Sequence, residues 1–166
     1  MRNIIFLILI FLFSSLNSAF SETKDIGTGG RNDLSFLNVK TSNFKKGTDA
    51  LKQASKLQKK NKNKRANKRY NDAIGYFLLA YKNYPDNPEI LYYLAFTYNI
   101  TGDLIMAEIY YQEGLALDPK NNIINEKLGK LYFDTKRIDL AKERLKALKS
   151  CDCKEYLSLK NIIGNY

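Results

Sequence analysis

Apolar residues in the second half of the chain recur at helical spacing. Leu91, Leu94, Ala95 and Tyr98 stand at i, i+3, i+4 and i+7, which places them on one helix face. Gly102-Asp103 ends that pattern, and Asp103 can cap a following helix. Ala107, Tyr111, Gly114 and Leu115 form the facing stripe, with small residues where two helices must approach closely. Asp118-Pro119 stops the second helix, while Asn87 and Pro88 read as the N-cap and first position of the first. The pattern repeats every 34 residues: Ala73, Ala107 and Ala141; Phe77, Tyr111 and Leu145; Leu94 and Leu128; Tyr98 and Tyr132; Ala95 and Gly129; Pro85 and Pro119. A fixed period of this length is the mark of a stacked repeat.

Upstream, FKKGTDALKQA (residues 44–54) is the candidate first helix of the first unit, with Phe44, Gly47, Ala50 and Leu51 on one face. Gly47 and Ala73 are 26 residues apart, whereas Ala95 and Ala107 are 12 apart. Fourteen residues are therefore inserted between the helices of this unit, and KLQKKNKNKRANKR (56–69) is that insertion. It is expected to lengthen the first helix and then loop back. Residues 22–41, with Gly27, Gly29 and Gly30, are expected to be flexible, with Phe36-Leu37 free to dock on the first unit. Downstream, Tyr156, Leu159 and Ile163 mark an amphipathic helix over 154–163, which would cap the exposed end of the stack.

Leu91, Leu94, Ala95, Tyr98, Ala107, Tyr111 and Pro119, in that order and spacing, resemble the tetratricopeptide repeat (TPR) family. The resemblance covers roughly residues 42–153 and implies an all-α fold. It would be a short TPR solenoid of about three helix pairs with a C-terminal capping helix. The units fall at about 42–87, 88–121 and 122–153, within a domain spanning 42–166. The match is strongest for 88–121. It weakens in the last unit, where Lys136-Arg137 replaces Gly-Asp. The ending CKEYLSLK is similar to tails that follow the repeats in exported TPR proteins of Gram-negative bacteria.

Arg2, the apolar run IIFLILIFLF (residues 4–13) and the small residues that follow form a signal-peptide pattern over 1–21. Cleavage is expected after Ser21, with Ala19 as the alternative, and an uncleaved anchor is the competing reading. The mature chain of about 145 residues would be periplasmic or secreted, and suffices for one domain.

Charge divides the chain. Residues 22–69 carry fourteen Lys or Arg against four Asp or Glu, whereas 70–166 carry twelve against thirteen. Lys56, Lys59, Lys60, Lys62, Lys64, Arg65, Lys68 and Arg69 account for much of this asymmetry. Three readings compete for them: nucleic-acid binding, attraction to an anionic surface, and a solvated linker. The stretch carries no aromatic residue for base stacking, and export would remove nucleic-acid targets. A like-charge block also favours a solvated linker by self-repulsion.

The chain has no histidine and two cysteines, which excludes the usual Cys/His zinc sites by ligand count. No Gly-rich phosphate loop or paired carboxylate is present, so no enzyme activity and no cofactor are expected. Cys151 and Cys153 can form a local disulfide, remain reduced or act as a thiol–disulfide pair.

The TPR resemblance implies binding to a protein or peptide partner, with the first helix of each pair lining the groove. This assigns Glu89, Tyr92, Phe96, Asn99 and Ile100 in one unit, and Ile123, Glu126, Lys130, Phe133 and Asp134 in the next. Tyr92 and Phe96 could instead be spent on packing between helices. The expected role is a non-enzymatic adaptor or scaffold in the bacterial envelope. No Lys/Asn clamp for a C-terminal carboxylate is evident.

Overall fold

Capped turns divide residues 33–164, the part described by this computed structural model, into seven helices. They are α1 (Asp33–Lys59), α2 (Asn63–Asn83), α3 (Pro88–Thr101), α4 (Leu104–Leu117), α5 (Asn122–Asp134), α6 (Ile138–Ala147) and α7 (Lys154–Ile163). The caps follow from residue chemistry. Asn87 Oδ1 accepts from the backbone N–H groups of Glu89 at 3.0 Å and Ile90 at 3.3 Å. Asp103 does the same for Met106 at 3.1 Å, and Asn121 for Ile124 at 3.1 Å. These bonds satisfy N–H groups that have no partner within the helix.

Gly102 closes α3 with φ of 90°, in the left-handed region. The next unit makes the same turn without glycine, because Lys136 takes φ of 64°. The hydrogen bonds repeat at the 34-residue interval. Gly102 N donates to Asn99 O and Asp103 N to Tyr98 O, matched by Lys136 N to Phe133 O and Arg137 N to Tyr132 O. Arg137 does not cap α6 with its side chain. It pairs instead with Glu108 at 2.7 Å, and its guanidinium lies 4.6 Å from the centre of the Tyr132 ring.

Successive helices pair as α1–α2, α3–α4 and α5–α6, and α7 packs on α5 and α6. Ala73, Phe77, Leu91, Leu94, Ala95, Ala107, Tyr111, Leu128 and Ala141 are fully buried or nearly so in one continuous core. Close approach sets residue size at two matching positions. An added Cβ would lie 2.5 Å from the Phe77 ring at Gly47, and 2.5 Å from Leu159 at Gly129. Gly129 thereby admits α7 to the stack. Tyr81 on α2 donates to the Glu113 carboxylate on α4, tying consecutive units together. This bond, with burial, pushes the Tyr81 phenol up to about 12.

Two expectations need correction. The pattern-poor stretch 22–41 is not flexible throughout, because α1 begins at Asp33 and runs 27 residues without interruption. Residues 22–32 and the signal-peptide pattern lie outside the described residues. The basic stretch lengthens the first helix as expected, but it is not a solvated linker between the two helices. Lys56–Lys59 complete α1, Asn63–Arg69 open α2, and only Lys60–Lys62 turn the chain. Asn61 makes the turn at φ of 56°, a conformation that asparagine tolerates better than most residues. A small second core explains why charge repulsion does not open the hairpin. Ala54, Ala66 and Tyr70 are buried together against Leu51 and Leu57. Tyr70 Oη also donates to Gln58 Oε1 at 2.6 Å.

Candidate functional site

Tyr92 and Glu126 are 34 residues apart, so they hold the same place on successive first helices. They meet in a pocket of about 370 Å³ whose other lining residues are Ile123, Lys127, Lys154, Glu155 and Ser158. Helices α3, α5 and α7 thus all contribute to it.

Glu126 is the electrostatic centre of the pocket and is only 7% exposed. Lys130 reaches its Oε1 at 2.7 Å and Lys127 its Oε2 at 3.2 Å. Burial alone would raise the carboxyl pKa, but hydrogen bonds from Lys130, Ser158 and Lys127 and the Lys127 charge outweigh it. The net shift is downward from 4.5. Glu126 is therefore a fixed anion near neutral pH, suited to orienting a ligand group and not to shuttling a proton.

The aromatic side of the pocket is built on packing. Tyr92 and Phe96 stack with centroids 5.8 Å apart, and Tyr92 meets Tyr93 edge-on at 5.1 Å. Tyr93 in turn stacks on Phe77 at 5.3 Å and contacts Phe44 at 5.2 Å. Tyr92 and Phe96 both remain partly accessible, so each serves the packing and the surface. Tyr111 is fully buried, and its hydroxyl has no hydrogen-bond partner among the described residues. Burial raises its phenol pKa strongly, and the charges of Tyr92 and Glu126 add to the shift. The orphan hydroxyl therefore lies within the electrostatic reach of the pocket.

Of the groove residues expected from sequence, Tyr92, Ile123 and Glu126 line this pocket, and Lys130 is tied to Glu126. Phe96 adjoins it through Tyr92, whereas Glu89, Asn99, Ile100 and Phe133 are not among its lining residues. Phe133 packs partly buried against the core, and Glu89, Ile100 and Asp134 are exposed. Sequence reasoning missed Lys154, Glu155 and Ser158 by treating α7 only as a cap. The 34-residue interval carried the signal: Leu159 falls two periods after Leu91, and Ile163 two periods after Ala95. Helix α7 is thus the first helix of a further unit and extends the groove.

Cys151 and Cys153 are disulfide-bonded in the turn before α7, with Cα atoms 5.2 Å apart. Both sulfurs pack partly buried against the core. Among the described residues, no group of three His, Cys, Asp or Glu side chains could hold a metal ion. No helix among them is long and apolar enough to cross a membrane.

A family model described as tetratricopeptide repeat matches residues 76–109. Among solved structures, the chain is similar to the TPR domain of Arabidopsis OM64, with 16% identity and a TM-score of 0.55 over 74% of this chain and 98% of that one. It is also similar to the Sgt2 TPR domain from Aspergillus fumigatus, with 20% identity and a TM-score of 0.53 over 72% and 75%. A third likeness is to the first TPR domain of Spaghetti (RPAP3) bound to the HSP90 peptide SRMEEVD, with 19% identity and a TM-score of 0.53 over 74% and 94%. A search of curated proteins finds no match. Residues 76–109 thus match a tetratricopeptide repeat, and the described residues share the all-α helical-repeat fold of TPR domains.

Proposed function

We propose that the chain is a non-enzymatic adaptor that binds a protein or peptide segment along the α3–α5–α7 face. The carrying observation is the pocket that joins Tyr92 to the buried anion Glu126. Tyr92 and Phe96 offer aromatic area at low entropic cost, while Glu126 supplies direction through hydrogen bonding. The first TPR domain of Spaghetti, solved bound to an HSP90 peptide, lends the reading support at the level of fold. The leader pattern at residues 1–21 supports export, with the adaptor periplasmic or secreted in the bacterial envelope after cleavage.

Affinity capture from envelope extracts, with wild type beside Tyr92→Ala and Phe96→Ala, tests the binding role. The same partner should be recovered with wild type and lost or strongly reduced with the variants, after circular dichroism has confirmed their folding. Normal capture by well-folded variants would move the site elsewhere. N-terminal sequencing tests location separately: the exported protein should begin at Glu22 or Phe20.

A further inference from the structure

Eight basic residues occupy a hairpin tip that the groove does not use. Because α1 and α2 both continue through the stretch, the cations are held on a helical scaffold. All eight residues are exposed, while Ala54, Ala66 and Tyr70 hold the two helices together beneath them. Arg69 pairs with Asp72 at 3.1 Å. Among the described residues, none of the other seven is in an ion pair. The sequence 56–69 contains no acid that could neutralise them. A scaffold that concentrates unpaired like charges raises the free energy of the isolated chain, and a polyanionic surface relieves it.

The tip also has a shaped feature. Leu57, Arg65, Lys68 and Arg69 line a hollow of about 220 Å³. Arg65, Lys68 and Arg69 stand at i, i+3 and i+4 on α2, so their head groups share one face. This volume suits one phosphate group, and an apolar wall at Leu57 suits the glycerol side of a lipid headgroup. We propose that the tip of the α1–α2 hairpin is a membrane-surface contact that seats an anionic phospholipid headgroup at Arg65, Lys68 and Arg69. Lys56, Lys59, Lys60, Lys62 and Lys64 supply the wider attraction to the bilayer.

Two observations favour a bilayer over nucleic acid. The tip exposes no aromatic ring on which a base could stack, since Tyr70 is buried. The apolar run at residues 4–13 also directs the chain to a membrane, whether it acts as a leader or as an anchor. The hairpin would orient the solenoid at that surface, leaving α3, α5 and α7 to the partner.

The test is flotation of the full chain with phosphatidylcholine vesicles, with and without ~30 mol% phosphatidylglycerol, at low and high salt. The difference between the two vesicle types cancels any partitioning of the apolar run. Wild type should prefer the anionic vesicles by at least about tenfold at low salt and lose that preference as salt rises. One variant carries Gln at Lys56, Lys59, Lys60, Lys62 and Lys64, and a second carries Arg65→Gln with Lys68→Gln. With helical content unchanged, the first should lose most of the preference. The second should lose discrimination for phosphatidylglycerol over an equally charged surface of sulfated detergent. An anionic preference equal to wild type in both variants would overturn the proposal. So would tighter binding to double-stranded DNA than to vesicles of equal phosphate content.

Discussion

Lys136 shows how one residue can carry a turn built for another. Its left-handed backbone at φ of 64° costs a side-chain-bearing residue roughly 1 kcal/mol that glycine avoids. Lys136→Gly should therefore raise stability, by up to about 1 kcal/mol once the greater freedom of glycine in the unfolded chain is subtracted. Urea unfolding would show a higher midpoint with an unchanged slope. Glu126 makes a second prediction at this scale. Its pKa is lowered on folding, so it contributes stability above the pKa of the unfolded chain, and this is lost as pH falls through the folded value. Glu126→Gln should accordingly flatten the acid side of the stability profile below about pH 4.5. Thermal midpoints measured from pH 7 downward would reveal it; parallel profiles would mean that its lysine contacts contribute nothing.

Between elements, the small residues and the terminal helix make the sharpest demands. Ala107 is fully buried where α4 meets its neighbours, so Ala107→Leu should overpack by ~1–3 kcal/mol. Leu159 is fully buried over Gly129, and Leu159→Ala should cost about 2–5 kcal/mol by leaving a cavity under α7. Each would appear as a lower unfolding midpoint. Charge alone does not set the stability of the hairpin tip. Removing residues 56–69 would restore the usual spacing and relieve repulsion, but it would also strip Tyr70 and Ala54 of their cover. Exposing a buried aromatic costs about 1.5–3 kcal/mol, so the deletion variant should fold with lower stability. A midpoint at or above that of wild type would mean that the second core adds nothing net.

At the scale of the whole molecule, the two proposals assign different roles to two surfaces of the described residues. The groove presents aromatic area and one buried anion, and the hairpin tip presents basic residues of which Arg69 alone is in an ion pair among the described residues. Loss of partner capture in Phe96→Ala should correspond to more than ~1 kcal/mol if the ring anchors the ligand. Vesicle flotation of the same variant should be unchanged, because Phe96 is not part of the tip. If both readouts fall together, the two surfaces are not independent. The thiols can be checked on the same protein: with Cys151 and Cys153 bonded, they should resist alkylation until reduced. Rapid labelling without reductant would remove the disulfide from the description of the α7 junction.

By itself, the sequence determined the repeat unit and the stripes that face its core. Helical periodicity, caps and close-packing residues act over a few neighbours, so Asn87, Gly102, Asp103 and Ala107 announce their roles locally. The TPR resemblance also assigned Tyr92, Ile123 and Glu126 to the groove face of the stack. The 34-residue interval also marks α7 as a further first helix through Leu159 and Ile163, but only tertiary structure decided that Lys154, Glu155 and Ser158 complete the pocket, because their meeting with Tyr92 and Glu126 is a long-range contact. Likewise, a run of eight cations reads as a repelling linker along the chain. It becomes an ordered hairpin only when Ala54, Ala66 and Tyr70 meet across the two helices, and sequence periodicity does not weigh that long-range burial against the charge.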